Sequence, residues 1–394
     1  MFSGKHALIL PTLLALGFLG CGGGKDAVDP STQGLSAQAQ LGELIFKDTS
    51  LSASGLQSCA TCHDKAFAHG SPNALPAQLG GPNMDVQGNR LSPTIRYLAV
   101  NKPFRFDKDG TPTGGFFWDG RAGSLAEQAA GPFLNPREMA MPDKASVVAR
   151  LAAAPYAADF KRAFGADIFS DVERAYLCMT LAIQRYELED ADFHPFDSKY
   201  DAFLAGKAEF SAQEKRGLAL FNSPTKGNCA ACHPSAKGAD GAPPMFTDFT
   251  YDVLGVPRNP ELKDNADPSY YDLGLAARAA GDLADRKELY GAFKVPTLRN
   301  VAIRKAYFHN GYFKTLKEAI AFYVQRDTNP EKFYPRNPDG TVHKFNDLPA
   351  AYHANVNVTE VPYNRQPGDS PALTDEEIDD LIAFLNTLTD GYRP

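Results

Sequence analysis

Two stretches of the chain repeat one pattern of apolar and polar positions. Leu35-Ser36-Ala37-Gln38-Ala39-Gln40-Leu41-Gly42-Glu43-Leu44-Ile45-Phe46 lines up with Phe210-Ser211-Ala212-Gln213-Glu214-Lys215-Arg216-Gly217-Leu218-Ala219-Leu220-Phe221. Each begins with a serine able to cap a helix N-terminus and continues as a short amphipathic helix. A second helical pattern closes each half. Val172, Ala175, Met179, Ala182 and Ile183 mark one over 171–186, with Cys178 among them as a small buried apolar residue. Thr374-Asp375-Glu376-Glu377 opens the other, over 374–388, with the spacing of a capping box. Strand patterns are scarce, and the Gly 33 and Pro 29 of the chain imply many loops. The reading is all-α: one helical unit used twice, over 35–200 and 207–394, with long loops and a boundary within 196–209.

Each opening helix runs toward Cys-X-X-Cys-His, as Cys59-Ala60-Thr61-Cys62-His63 and Cys229-Ala230-Ala231-Cys232-His233. This is the attachment signature of c-type haem. Two thiols three residues apart on one turn reach two vinyl groups of a porphyrin, and the following histidine lies beneath the iron. A zinc site of four cysteines needs no adjoining histidine, and a redox dithiol would sit in a βαβ pattern that is not visible here. Each half therefore reads as a cytochrome c-like domain carrying one covalent haem c. Cys59, Cys62, Cys229 and Cys232 form the thioethers, and His63 and His233 are the proximal ligands.

The first residues add a location. Lys5 and His6 precede an apolar stretch over 7–19, which reads as an export signal over 1–20 and is too short for a membrane span. Phe18-Leu19-Gly20-Cys21 resembles a bacterial lipobox, and Gly22-Gly23-Gly24 begins a flexible tether over 21–34. Cys21 would then carry lipid and hold the protein at the periplasm or outer cell surface, its only link to a membrane. The formal net charge of −7 becomes more negative once Lys5 leaves with the signal. That argues against nucleic acid and permits a basic redox partner.

Further motifs fill in the chemistry. Phe117-Trp118-Asp119-Gly120-Arg121, Glu127-Gln128, Gly131-Pro132-Phe133-Leu134-Asn135-Pro136-Arg137-Glu138-Met139, Phe293-Lys294-Val295-Pro296-Thr297-Leu298-Arg299-Asn300 and Tyr307-Phe308-His309-Asn310-Gly311 resemble the bacterial di-haem cytochrome c peroxidase and MauG family, in combination and in order. The resemblance runs from about residue 35 to the C-terminus. It implies that the first haem, on His63, reacts with hydrogen peroxide, and that the second, on His233, exchanges electrons with partners. It implies that Trp118, the single Trp of the chain, lies between the haems. It makes Glu138 the acid–base residue of the peroxide site, Gln128 a hydrogen-bond donor to bound oxygen, and Pro132 and Met139 pocket residues.

Several positions depart from the commoner peroxidases. No histidine lies between His69 and His194, so the first haem is expected to be open at rest. His69 itself reads as a solvated loop residue. The position often held by a methionine ligand of the second haem is Tyr323, as in the MauG-like subgroup, and phenolate stabilises ferric iron against ferrous. The family's calcium-binding Asn position is Leu91, and its Thr-Ala-Pro reads Arg304-Lys305-Ala306, so the side-chain ligand is lost and calcium is not expected. A Trp used by MauG two residues before its second haem motif is Gly227 here, so MauG's own substrate is not expected. The sequence reading is an exported peroxidase that oxidises a protein partner or redox protein through high-valent haem. The alternatives are peroxide detoxification fed by a small cytochrome c or cupredoxin, and a plain electron-transfer cytochrome. A plain carrier would ordinarily close both coordination faces.

Overall fold

The computed structural model describes residues 34–393. Its elements are helices joined by long loops. α1 (Ala37–Lys47), the short α2 (Cys59–Cys62), α3 (Leu125–Leu134), α4 (Lys144–Ala153), α5 (Ala157–Phe164) and α6 (Val172–Glu189) build the first half. α7 (Lys199–Leu204), α8 (Ala212–Asn222), α9 (Leu316–Gln325) and α10 (Asp375–Asn386) belong to the second. Among the described residues the strands form three antiparallel pairs: β1 (Leu79–Gly80) with β2 (Val86–Gln87), β3 (Arg105–Phe106) with β4 (Pro112–Thr113), and β5 (Tyr251–Asp252) with β6 (Phe293–Lys294).

The caps stand where the pattern puts them. Ser36 Oγ accepts from Ala39 N, Ser211 forms a capping box with Glu214, Asp171 accepts from Arg174 N, and Thr374 forms a capping box with Glu377. α6 runs to Glu189, beyond the expected end at Tyr186.

The repeat is a helix crossing built twice. α1 packs across α6, and α8 packs across α10. At each crossing a glycine removes the side chain that would hold the backbones apart. A Cβ on Gly42 would lie 1.9 Å from the Ala182 carbonyl oxygen, and one on Gly217 would lie 2.1 Å from that of Asp380. Equivalent aromatic pairs sit beside the crossings, Phe46 with Tyr186 at 5.6 Å and Phe221 with Phe384 at 5.1 Å between centroids. Around them lie two separate apolar cores. Leu41, Ile45, Phe133, Phe160 and Ile183 belong to one, and Phe246, Phe322, Phe333 and Leu388 to the other. α7 falls within the segment read as a boundary, and its Tyr200 is buried in the second core against Phe246 and Phe384.

The halves are locked together by polar contacts. Arg90 bridges Asp119 at 2.7 Å and Asp272 at 2.6 Å. Arg137 reaches Asp264 at 2.8 Å and Arg96 reaches Asp390 at 2.9 Å. Leu91 N donates to His309 O at 2.7 Å, and Tyr251 Oη donates to Gly114 O at 2.6 Å. No helix among the described residues is long and apolar enough to cross a membrane.

Candidate functional site

Each half encloses a large cavity over its Cys-X-X-Cys-His turn, about 2020 Å³ in the first and 1890 Å³ in the second, open mouths included. Both are lined mainly by apolar surface, as a porphyrin face requires. In the first, Cys59 and Cys62 stand on α2 with free thiols, and burial pushes each up to about 12. In the second, Cys229 and Cys232 are likewise free, pushed up to about 12 by burial.

The histidines are oriented alike. His63 Nδ1 lies 3.1 Å from the His69 carbonyl, and His233 Nδ1 lies 2.7 Å from the Phe246 carbonyl. A carbonyl only accepts, so Nδ1 carries the proton and Nε2 is left with its lone pair free for a metal. Burial lowers both imidazoles, His233 to about 4, which keeps them neutral. Free cysteine pairs, neutral and oriented histidines, and apolar walls fit haem c at both turns. Bound there, haem would supply the electron-transfer and peroxide chemistry that no side chain here provides.

The first cavity gathers Glu138, Gln128, Pro132, Met139, Trp118 and His63. α3 presents Gln128 one turn before Pro132, and the chain then turns so that Glu138 faces the same space. The Glu138 backbone is clamped: its carbonyl accepts from Gly81 N at 2.8 Å and from the Gln57 side chain. Burial raises the Glu138 carboxyl, opposed by Arg121 and by a hydrogen bond from Asn135. An acid that holds its proton more tightly than an exposed carboxyl is suited to taking and returning a proton. His63 is the only histidine among the described residues lining this cavity.

His69 differs from the expectation of a solvated loop residue. It is 3% exposed and stacked on Phe193 at 4.2 Å. Its carbonyl holds His63, so the residue belongs to the proximal support.

The second cavity is closed differently. Tyr323 on α9 lines it together with His233, packed against Phe308 at 5.4 Å and Tyr363 at 6.1 Å. Its neighbour Phe322 points the other way, into the core. Burial, then the charge of Asp252, raises the Tyr323 phenol, so forming a phenolate here requires a cation such as ferric iron.

Comparison with known proteins agrees with this arrangement. The di-haem cytochrome c peroxidase model matches residues 36–209, and a cytochrome c model matches 214–389. The methylamine utilization protein MauG of Paracoccus denitrificans is 38% identical, over 91% of this chain and 90% of its own. The cytochrome c551 peroxidase of Nitrosomonas europaea is 31% identical, over 80% of this chain and 84% of its own. The diheme peroxidase BthA of Burkholderia thailandensis superimposes with a TM-score of 0.84 at 38% identity, covering 92% of this chain and 89% of its own. The chain belongs to the di-haem cytochrome c peroxidase and MauG family. It is thus a peroxidase with two cytochrome c-like domains, and two haem c groups go with that family.

Within this family member, one wall serves both sites. Trp118 lines the first cavity and the second. Its Nε1 donates to Leu91 O at 2.8 Å, and its own carbonyl accepts from Lys294 N at 2.9 Å. Leu91, the position of the family's calcium Asn, thus gives its carbonyl to the indole. Lys294 also lines both cavities, and burial lowers its ammonium to about 7. Sequence reasoning assigned no role to Lys294, Glu187, Arg304 or Tyr363, although all four line a cavity. For Glu187 a signal existed, because it follows Ile183 by four residues on the apolar stripe of α6. Cys21 lies outside the described residues.

Proposed function

We propose that this peroxidase reacts with hydrogen peroxide at the first site and oxidises a protein partner or small redox protein by way of the second. The carrying observation is the pair of unlike cavities that share Trp118. One holds Glu138 and Gln128 with His63 as its single lining histidine among the described residues; the other holds His233, His309 and Tyr323. In this reading the Glu138 carboxylate takes the proton from incoming peroxide and returns it to the departing oxygen, while Gln128 orients the pair by hydrogen bonding. Apolar walls exclude bulk water. Tyr323 would hold the second haem's iron and favour its ferric state, and Trp118 would carry charge between the sites. The partner's identity belongs to chemistry outside the chain: a basic face complementary to this acidic protein suits encounter.

The test is electron paramagnetic resonance of the resting ferric protein, followed by rapid mixing with peroxide. A high-spin first haem, a low-spin second haem and reaction without prior reduction are expected. A strict need for pre-reduction would remove the open-site reading. We also propose export with lipid on Cys21; an intact mass showing an unmodified N-terminus downstream of Cys21 would contradict it.

A further inference from the structure

The shared helix crossing sets up a residue-by-residue correspondence between the halves. A Cβ on Gly42 would meet the Ala182 carbonyl and the Tyr186 Cβ; one on Gly217 would meet the Asp380 carbonyl and the Phe384 Cβ. Ala182 therefore matches Asp380, and Tyr186 matches Phe384. One residue further along, Ile183 matches Leu381 and Glu187 matches Leu385. Ile183 and Glu187 line the first cavity, and Leu381 and Leu385 line the second. The fold thus accepts leucine at a place where the first half carries a carboxyl group.

That carboxyl has no structural employment. Glu187 is 5% exposed, and its Oε2 has no hydrogen-bond partner among the described residues. A buried polar atom left unpaired is destabilising, so it signals a missing partner. Burial alone raises the acid to about 8, which makes it a neutral O–H donor at physiological pH. Its place within the cavity is the Cys59 side: of the groups whose charge raises the Cys59 thiol, Glu187 acts most strongly, ahead of Cys62 and Glu138. Glu138, by contrast, is the charge that acts on Cys62.

We propose that Glu187 is a second acid of the first site, donating a hydrogen bond to a small oxygen species, water or peroxide, held in that cavity. The proposal rests on the peroxidase reading and extends it. At the matching position of the second site stands Leu385, which offers no donor, in keeping with a haem closed by Tyr323.

The experiment compares the loaded wild type with Glu187→Leu and Glu187→Gln. Leucine is what the sister domain already carries, and glutamine keeps shape and a donor. Fluoride binding to the ferric first haem is the first readout, because bound fluoride needs a nearby donor. Glu187→Leu should weaken fluoride roughly five- to tenfold, the worth of one hydrogen bond, and raise the peroxide KM comparably with kcat little changed. Glu187→Gln should stay within about twofold of wild type, since its amide still donates. Difference infrared is the second readout: the wild type should show a protonated-carboxyl band at neutral pH that Glu187→Gln lacks. Wild-type fluoride affinity in Glu187→Leu, or an ionised Glu187 at neutral pH, overturns the proposal. If Glu187→Leu fails to fold, the infrared pair decides alone. A wild type that shows the infrared band and ignores peroxide would sink the peroxidase reading while leaving the donor in place.

Discussion

The two halves of the chain start from the same scaffold and end with opposite sites. In both, a serine-capped helix crosses the closing helix at a glycine, an aromatic pair packs beside the crossing, and a histidine is turned by a backbone carbonyl. What differs is the remaining wall of each cavity. The first half supplies Glu138, Gln128 and Glu187 from α3, the turn after it and α6. The second supplies Tyr323, Tyr363 and Leu385 from α9, a loop and α10. The scaffold determines where a haem sits, and a few residues on that wall determine what it does. Under the proposed function, peroxide reacts beside Glu138 and Gln128, and electrons are exchanged at the cavity that holds Tyr323.

The largest break in this comparison comes from removing Glu138, the acid proposed to make the first site reactive. Glu138→Gln preserves shape, and its clamped backbone uses no carboxylate atom. Haem loading and the resting spectra should be normal. Peroxide turnover should fall by roughly 10²-fold or more, the usual scale for a general acid–base group. Unchanged turnover would take Glu138 out of the mechanism and leave the difference between the halves unexplained.

The second site is sharpened by giving it the ligand common in related peroxidases. If Tyr323 ligates the second iron, Tyr323→Met exchanges a phenolate oxygen for a neutral thioether, which favours ferrous iron. The midpoint potential of the second haem should rise by on the order of 0.1 V or more, within the ~0.8 V that axial ligands command. The first haem should not move. A spectroelectrochemical titration that finds the second potential unchanged would show that Tyr323 is a packing residue.

The shared scaffold makes its own prediction. Gly42→Ala and Gly217→Ala each push a methyl group into a carbonyl, at 1.9 and 2.1 Å before relaxation. Each should destabilise its own half by at least ~1–3 kcal/mol, the usual cost of overpacking, seen as a lowered thermal midpoint. Similar losses in the two variants support one crossing used twice. A neutral Gly217→Ala would mean that the second crossing is looser than its twin.

Much of this was readable in the sequence because repetition and covalent chemistry leave marks at fixed spacing. The paired Ser-to-Phe segments, the caps at Asp171 and Thr374, and the two haem motifs are local patterns, and the helices form where they point. The residues that escaped are those whose roles depend on distant contacts. His69 looked like a solvated loop residue, because nothing in its neighbourhood announces Phe193, more than a hundred positions away, stacked on its ring. Glu187 lay one residue past the predicted end of its helix, so its place on the apolar stripe of α6 went unread. The extra turn of α6 carries it into the cavity. Lys294 sat inside a recognised motif, yet only the fold shows that it borders both sites.

The smallest effect concerns what joins the halves. Trp118 is the indole that lines both cavities, and it is fixed by a hydrogen bond to Leu91, whose own N–H is tied to His309 of the other half. Trp118→Phe keeps most of the aromatic volume and removes the donor and the more easily oxidised ring. The initial reaction with peroxide should proceed at the wild-type rate, because Glu138 and the open first site are untouched. Redistribution of oxidising equivalents between the sites should slow by on the order of tenfold, equivalent to about 1.4 kcal/mol in a barrier. Rapid-mixing spectra resolve the two phases, since the first reports the haem at His63 and the second the haem at His233. Slowing of both phases together would make Trp118 part of the first pocket's packing. Slowing of neither would mean that charge crosses elsewhere in the shared wall, and Lys294 with its neighbours Val295 and Pro296, which also border both cavities, would be the place to look.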